Sequence, residues 1–281
     1  MPKKTKSKVI NSQDYLMESD DEALRLDLKT DPAALRRQAL WCGVKPGMRV
    51  LDLGCGPGKT TALLHKMIQP KGSVVGVDFS EARISYAKSH YGGRKGIEFY
   101  QQDLRESMES LGEFDLIWVR FVLEYFRRES LDIVRKLKDC LKPGGTLCLI
   151  DLDYNCLNHY ELPAKIADLL PKIMSYMDDK YNFDTFAGRK LYSYLYDNGF
   201  EKIDVDIMAN NLVFGEIKNQ IQFDWIKKVE IATKKAKKII STYPGGDEEF
   251  YRDFREFLVD PRRFTYTPLL MCKGAKPLLV D

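Results

Sequence analysis

Histidine is scarce: there are three in 281 residues, at positions 65, 90 and 159. No H-E-x-x-H pair occurs, and none of the six cysteines stands in C-x-x-C spacing. Zinc sites of the usual ligand spacing are therefore excluded, and no metal site is expected. Cys42, Cys55, Cys140, Cys148, Cys156 and Cys272 fall mostly in apolar settings, as reduced buried thiols do, which leads to the expectation of a cytoplasmic protein. There is no P-loop and no G-x-S-x-G elbow, so P-loop phosphate chemistry and α/β-hydrolase chemistry have no anchor. No apolar run approaches the roughly 20 residues of a membrane span, so a soluble chain without a membrane partner is expected. A net charge of +3 is too mild to argue for a nucleic-acid partner. The basic start, Met1 to Lys8, has no apolar core behind it and reads as a solvated tail, not a targeting peptide. No internal repeat is visible.

What the chain has is Val50-Leu51-Asp52-Leu53-Gly54-Cys55-Gly56-Pro57-Gly58. A β-compatible apolar run enters a glycine loop, and a helix follows over Lys59 to Ile68. The glycines permit a sharp turn and let a flat ligand approach the backbone without Cβ atoms between. Pro57 suits the first turn of a helix. A second apolar run, Val74-Val75-Gly76-Val77, ends at Asp78, where a carboxylate can accept both hydroxyls of a ribose. The glycines are spaced G-x-G-x-G, unlike the G-x-G-x-x-G of dinucleotide folds. Asp52 in the strand end would oppose a pyrophosphate but suits a ligand carrying an ammonium group.

Further along, apolar strands alternate with helices. Strands are expected over Ile97 to Gln101, Phe114 to Val119 and Thr146 to Leu152, and helices over Glu81 to His90 and Glu129 to Leu141. Such alternation implies an α/β fold with a mostly parallel sheet covered on both faces. Asp31-Pro32 opens a helix through Trp41, with Pro32 at its first position. The second half is less regular. Helices are expected over Leu162 to Tyr176 and Gly188 to Asp197, a strand over Glu201 to Ile207, one long basic amphipathic helix over Glu216 to Ile240, and a last strand over Phe264 to Cys272. The lysines at 227, 228, 234, 235, 237 and 238 read as a solvated face.

The motifs around Asp52 to Gly58 and Asp78 resemble the first two motifs of the Rossmann-like (class I) S-adenosylmethionine-dependent methyltransferases. Asp103 and Leu104 resemble the adenine-contacting pair, and Phe114 to Glu124 resembles the fourth motif, whose exit contacts the methionine part. Tyr15-(x3)-Ser19-(x2)-Glu22-(x2)-Arg25-Leu26, Gly188-Arg189-Lys190-Leu191 and Asn198-Gly199-Phe200 resemble a small-molecule methyltransferase subgroup. The resemblance covers almost the whole chain. It implies a seven-stranded sheet with the last strand antiparallel. It also implies a cofactor set of Asp52, Gly54, Cys55, Gly56, Gly58, Asp78, Phe79, Asp103, Leu104 and Arg120, with Tyr15 and Arg25 closing over the amino-acid end. By the same resemblance the ligand is S-adenosyl-L-methionine, the product S-adenosyl-L-homocysteine, and the acceptor a small-molecule O, N or C nucleophile. No Asn/Asp-Pro-Pro-Tyr segment follows the fourth strand, which argues against methylation of base amino groups.

The expected layout is a tail over 1–13 and a single methyltransferase domain over 14–281. Within it lie an arm (14–45), the cofactor core (46–152), second-half helices with the sixth strand (153–209), a helical lid (210–262) and the last strand (263–281). The lid assignment rests on a connection far longer than a hairpin needs, and Phe214, Phe223 and Trp225 are expected to cap an acceptor pocket. His159 and Tyr154, just past the fifth strand, are the candidates for proton transfer. Glu124 could contact substrate or simply cap the chain. A methyltransferase acting on protein or RNA, or a non-catalytic S-adenosylmethionine-binding protein on the same fold, remain as alternatives.

Overall fold

The computed structural model describes Leu26 and residues 31–278, apart from the side chain of Gln220. The tail and the first part of the arm, with Tyr15 and Arg25, lie outside the described residues. The sheet holds β1 (Arg49–Leu53), β2 (Ser73–Asp78), β3 (Ile97–Gln101), β4 (Phe114–Arg120), β5 (Leu141–Leu152), the two-residue β6 (His159–Tyr160), β7 (Glu201–Val213) and β8 (Phe264–Ala275). Its order is β3-β2-β1-β4-β5-β8, with β7 and β6 both paired to β8. β1 to β5 are mutually parallel, and β8 is antiparallel to β5, β6 and β7. The sheet thus matches the expected one, with β6 added at the edge.

Buried strands explain why this sheet needs cover on two sides. Leu51, Val75, Ile117 and Leu147 point to a core closed by α4 (Ser130–Asp139) and α6 (Leu191–Asp197). Their neighbours Val50, Val74, Leu116 and Cys148 point to the opposite core, closed by α1 (Pro32–Trp41), α2 (Lys59–Ile68) and α3 (Glu81–Tyr91). The period-two alternation of a strand divides consecutive apolar residues between the two faces. Asp31 caps α1 by accepting the Ala33 N–H at 2.9 Å.

A third core lies away from the sheet. It is built by α5 (Ala164–Tyr181), α7 (Asn219–Lys235), α8 (Lys237–Ile240) and α9 (Gly246–Val259) around Ile173, Trp225, Ile240 and Phe250. The long helix expected over Glu216 to Ile240 is broken at Ala236, whose φ of −105° and ψ of 27° leave the helical region. Ala236 is fully buried, so tertiary packing overrides its high helix propensity. β7 runs six residues beyond the strand expected there, since pairing with β8 continues to Val213 across a register shift after Asn210.

Candidate functional site

Strand order reverses between β1 and β4, and a crevice opens there beyond the strands' carboxyl ends, where ligands of open α/β sheets bind. A cavity of about 450 Å³ fills it. The loop after β1 forms one wall. Gly54 and Cys55 donate their N–H groups to the Val77 carbonyl at 2.7 and 2.9 Å, which anchors the loop to β2. Asp78, 4% exposed at the end of β2, completes the anchor. Its Oδ2 accepts the Gly56 N–H at 2.9 Å and its Oδ1 the Ser80 N–H at 3.0 Å, while Arg83 Nη1 lies 3.7 Å from Oδ1. A carboxylate offers about four lone-pair sites, so acceptor capacity remains toward the cavity.

The three loop glycines serve different ends. A Cβ at Gly54 would come within 2.4 Å of Val122. One at Gly58 would meet Ala87 at 2.8 Å and the Phe99 ring at 2.9 Å. Both are packing requirements. Among the described residues, a Cβ at Gly56 would meet only Leu26 Cδ1, in ordinary contact at 3.8 Å. Of the three, Gly56 is the one whose described surroundings leave room for a close ligand approach.

The structure brings Gly54, Cys55, Gly56, Asp78, Phe79 and Leu104 onto the cavity wall together with Arg120. Three other expected contacts lie off it. Gly58 is sealed under α3. Asp52 sits behind the loop, 2% exposed, and accepts the Thr61 hydroxyl at 2.6 Å. Burial pushes Asp52 up to about 7, against the pull of Thr61 and of Arg120. Asp103 is gripped by Arg105 through both carboxylate oxygens, with Nε at 2.9 and 3.1 Å, and this fork holds it below the usual carboxylate range. Arg120 is fixed by its Nε bond to Gln38 Oε1 at 3.0 Å and lies over the Phe121 ring at 4.1 Å. Desolvation lowers it to about 10, so it remains a cation at neutral pH.

His159 and Tyr154 are not at this cavity. They line a separate, smaller depression with Tyr160 and Pro171. His159 Nδ1 bonds to Thr265 Oγ1 at 2.9 Å and Nε2 to the Cys156 carbonyl at 3.0 Å. Trp225, Phe254 and Phe257 surround its ring at 5.5 to 6.2 Å. Burial depresses its pKa to about 4, so it is a neutral histidine of the third core. The caps expected over an acceptor are also elsewhere: Phe214 and Phe223 are exposed, and Trp225 is buried against His159.

Other residues form the cavity's second half. Ile173, Met174 and Met177 come from α5, and Lys228, Ile231 and Ala232 from α7. The i, i+3, i+4 spacing on α7 is a sequence signal that could have singled these three out. Lys228 also lies over the Trp225 ring at 4.8 Å, so one lysine of the basic run faces inward. Met208 to Asn211 enter where the β7 register shifts, and such irregularities have no clear sequence signature.

This wall suits a nucleoside bearing a charged amino-acid end: an open glycine backbone, a strand-terminal acid with spare lone pairs, and a fixed cation. The comparisons agree. The methyltransferase-domain family matches residues 44–199. Demethylmenaquinone methyltransferase of Lactococcus lactis is 32% identical over 117 residues, 41% of this chain, and the chain spans 46% of that relative's length. A ubiquinone/menaquinone biosynthesis C-methyltransferase of Shewanella sp. is 27% identical over 216 residues, 68% of this chain and 84% of that protein. Among solved structures, Haemonchus contortus phosphoethanolamine N-methyltransferase 2 in complex with S-adenosyl-L-methionine shares the fold, with a TM-score of 0.55 at 16% identity, over 87% of this chain and 52% of that one. With its cavity at the β1–β4 crevice and more than half its length matched, the chain belongs to the methyltransferase-domain family, as a class I enzyme that uses S-adenosylmethionine.

Proposed function

We propose that the chain transfers the methyl group of S-adenosylmethionine to a small-molecule nucleophile held in the second half of the cavity. The observation that carries this reading is continuity. One cavity runs from the Gly56 loop and Asp78 to a largely apolar chamber of Ile173, Met174, Met177, Phe183 and Ile231. Of O, N and C acceptors, carbon is favoured, because the Shewanella relative is named a C-methyltransferase and the Lactococcus one a demethylmenaquinone methyltransferase.

In this reading Asp78 takes the two ribose hydroxyls, the Leu104 backbone serves the adenine edge, and Arg120 faces the carboxylate of the amino-acid end. Asp52, behind the loop, holds Thr61 at the start of α2 and does not touch the ligand. The bound sulfonium supplies a methyl group that is already activated. The chain's task is then alignment, which can supply much of the barrier reduction. The apolar chamber excludes water from the transfer. Residues 210–262 act as a lid within a single domain spanning 14–281, through the inward face of α7 rather than through Phe214 or Phe223. The six free thiols suit a reducing compartment such as the cytoplasm.

The test is S-adenosylhomocysteine formation across phenolic, amine and carbon acceptors, with Ala232→Trp beside the wild type. The substitution fills the chamber and is expected to abolish turnover while leaving S-adenosylmethionine affinity within about twofold. Full turnover in the substituted protein overturns the placement of the acceptor. Absence of turnover with every small acceptor overturns the small-molecule reading in favour of a protein or RNA acceptor or a non-catalytic binder.

A further inference from the structure

Three acids line the cavity among the described residues: Asp31, Asp78 and Glu124. Asp31 caps α1 and Asp78 anchors the glycine loop. Glu124 follows β4 in the 3-10 turn Leu123–Tyr125, on the chamber side of the crevice, and is 4% exposed. Taking a carboxylate out of water costs several kcal/mol. Its surroundings add to that cost. Asp151, 1% exposed at the end of β5, accepts the Glu124 N–H at 3.1 Å and the Leu152 N–H at 2.8 Å. Two acids so placed resist ionising together. Burial, and after it the charge of Glu124, push Asp151 well above the usual carboxylate range.

The position of Glu124 is over-determined. Its Oε2 accepts from Asn155 Nδ2 at 3.0 Å, and its carbonyl accepts the Asp184 N–H at 2.7 Å. Asn155 is itself held by its N–H bond to the Thr185 carbonyl at 3.1 Å. Thr185 is bonded through N–H and Oγ1 to Asp178 of α5 at 3.1 and 2.8 Å. Asp184 is neutralised by Lys190 at 2.5 Å, so its charge does not oppose Glu124. Helix, strand end and loop thus fix one carboxylate against the chamber, as a group that must meet a reacting atom has to be fixed.

We propose that Glu124 is the catalytic base: it accepts the proton that the methyl acceptor loses. This rests on the methyl-transfer reading above and narrows the substrate class to acceptors with an ionisable hydrogen, such as a phenol, a hydroquinone or an ammonium. The acceptor's lone or π pair forms a bond to the methyl carbon. The methyl–sulfur bond breaks with its electron pair on sulfur, giving the neutral thioether. The acceptor's proton passes to the Glu124 carboxylate and then to water.

The experiment compares wild type with Glu124→Gln, which keeps the shape and can still accept from Asn155. The probes are 1-naphthol, hydroquinone and benzylamine, read as S-adenosylhomocysteine formed between pH 5 and 9. The expected result is S-adenosylmethionine affinity within about twofold of wild type by calorimetry and kcat lower by about 10²- to 10⁴-fold. The residual rate should climb with pH as solvent takes over proton removal. Glu124→Ala with added formate should recover part of the rate, which a structural carboxylate would not allow. Wild-type rate and pH profile in Glu124→Gln overturn the assignment while leaving methyl transfer intact. So does loss of cofactor affinity in step with kcat, which would make Glu124 a support. A wild type that turns over none of the probes overturns the parent reading and this one with it.

Discussion

Asp78→Asn tests the cofactor wall at the residue with most at stake. The carboxylate accepts two backbone N–H groups, from Gly56 at 2.9 Å and Ser80 at 3.0 Å, and stands 3.7 Å from the buried Arg83. In the amide, one oxygen can still serve Ser80. The NH₂ group then abuts the Gly56 N–H, donor against donor, at the one glycine that faces the ligand. Two effects follow. Stability falls by about 1–3 kcal/mol, the cost of a buried donor left unsatisfied. Each bond to a ribose hydroxyl loses its charge assistance, worth about 1 kcal/mol from the difference between charged and neutral hydrogen bonds. Two such losses give about 2 kcal/mol, or roughly a thirtyfold rise in Kd. Calorimetric titration with S-adenosylhomocysteine reads the affinity, and urea denaturation reads the stability separately. Adenosine against 2′,3′-dideoxyadenosine supplies the control: wild type should prefer the hydroxylated ligand and Asp78→Asn should not. A folded variant with unchanged affinity and unchanged preference refutes the ribose assignment.

The loop glycines should differ in what their replacement costs. Gly56→Val is expected to abolish cofactor binding, and the stability it loses comes from backbone strain at φ +53°, where a β-branched residue is disfavoured, not from a clash with a neighbour. Gly58→Ala should spare binding in the folded fraction and lower the melting temperature, because overpacking against Ala87 and Phe99 costs about 1–3 kcal/mol in addition to the strain at φ +88°. The reverse pattern would mean the ligand approaches at Gly58. His159 should govern part of the acid sensitivity. Its pKa of about 4 when folded lies below the ordinary histidine value of 6.5. The unfolded chain therefore binds the extra proton between those values, and stability present above pH 6.5 is lost as pH falls toward 4. The loss is on the order of 2–3 kcal/mol by pH 4.5, at about 1.36 kcal/mol per unit. His159→Leu should flatten that part of the curve in urea denaturation at pH 7.5 and 4.5, and an undiminished acid slope would return His159 to a solvent-accessible role.

The sequence by itself determined where the glycine loop and Asp78 meet. Val50 to Leu53 and Val74 to Val77 form central strands because their apolar runs can be satisfied only between two helical layers. Gly56 and Asp78 are adjacent in space because a parallel βαβ unit brings successive strand ends to the same edge of the sheet. These are local rules, and the residues obey them wherever the remainder of the chain goes. The acceptor half follows no local rule. His159 has the side chain best suited to proton transfer near neutral pH, and its place past β5 favoured it. Yet β6 pairs with the start of β8, and α7 and α9 close over the ring with Trp225, Phe254 and Phe257. Glu124 has the look of an ordinary turn acid, and only the packing of β5, Asn155 and the 184–185 segment around it buries it against the chamber. Ile231 and Ala232 lie more than a hundred residues from Gly54, and a helical stripe does not say which surface it will cover. Tertiary structure decided these because burial depends on what packs against a side chain, and for these residues the partners are far away along the chain.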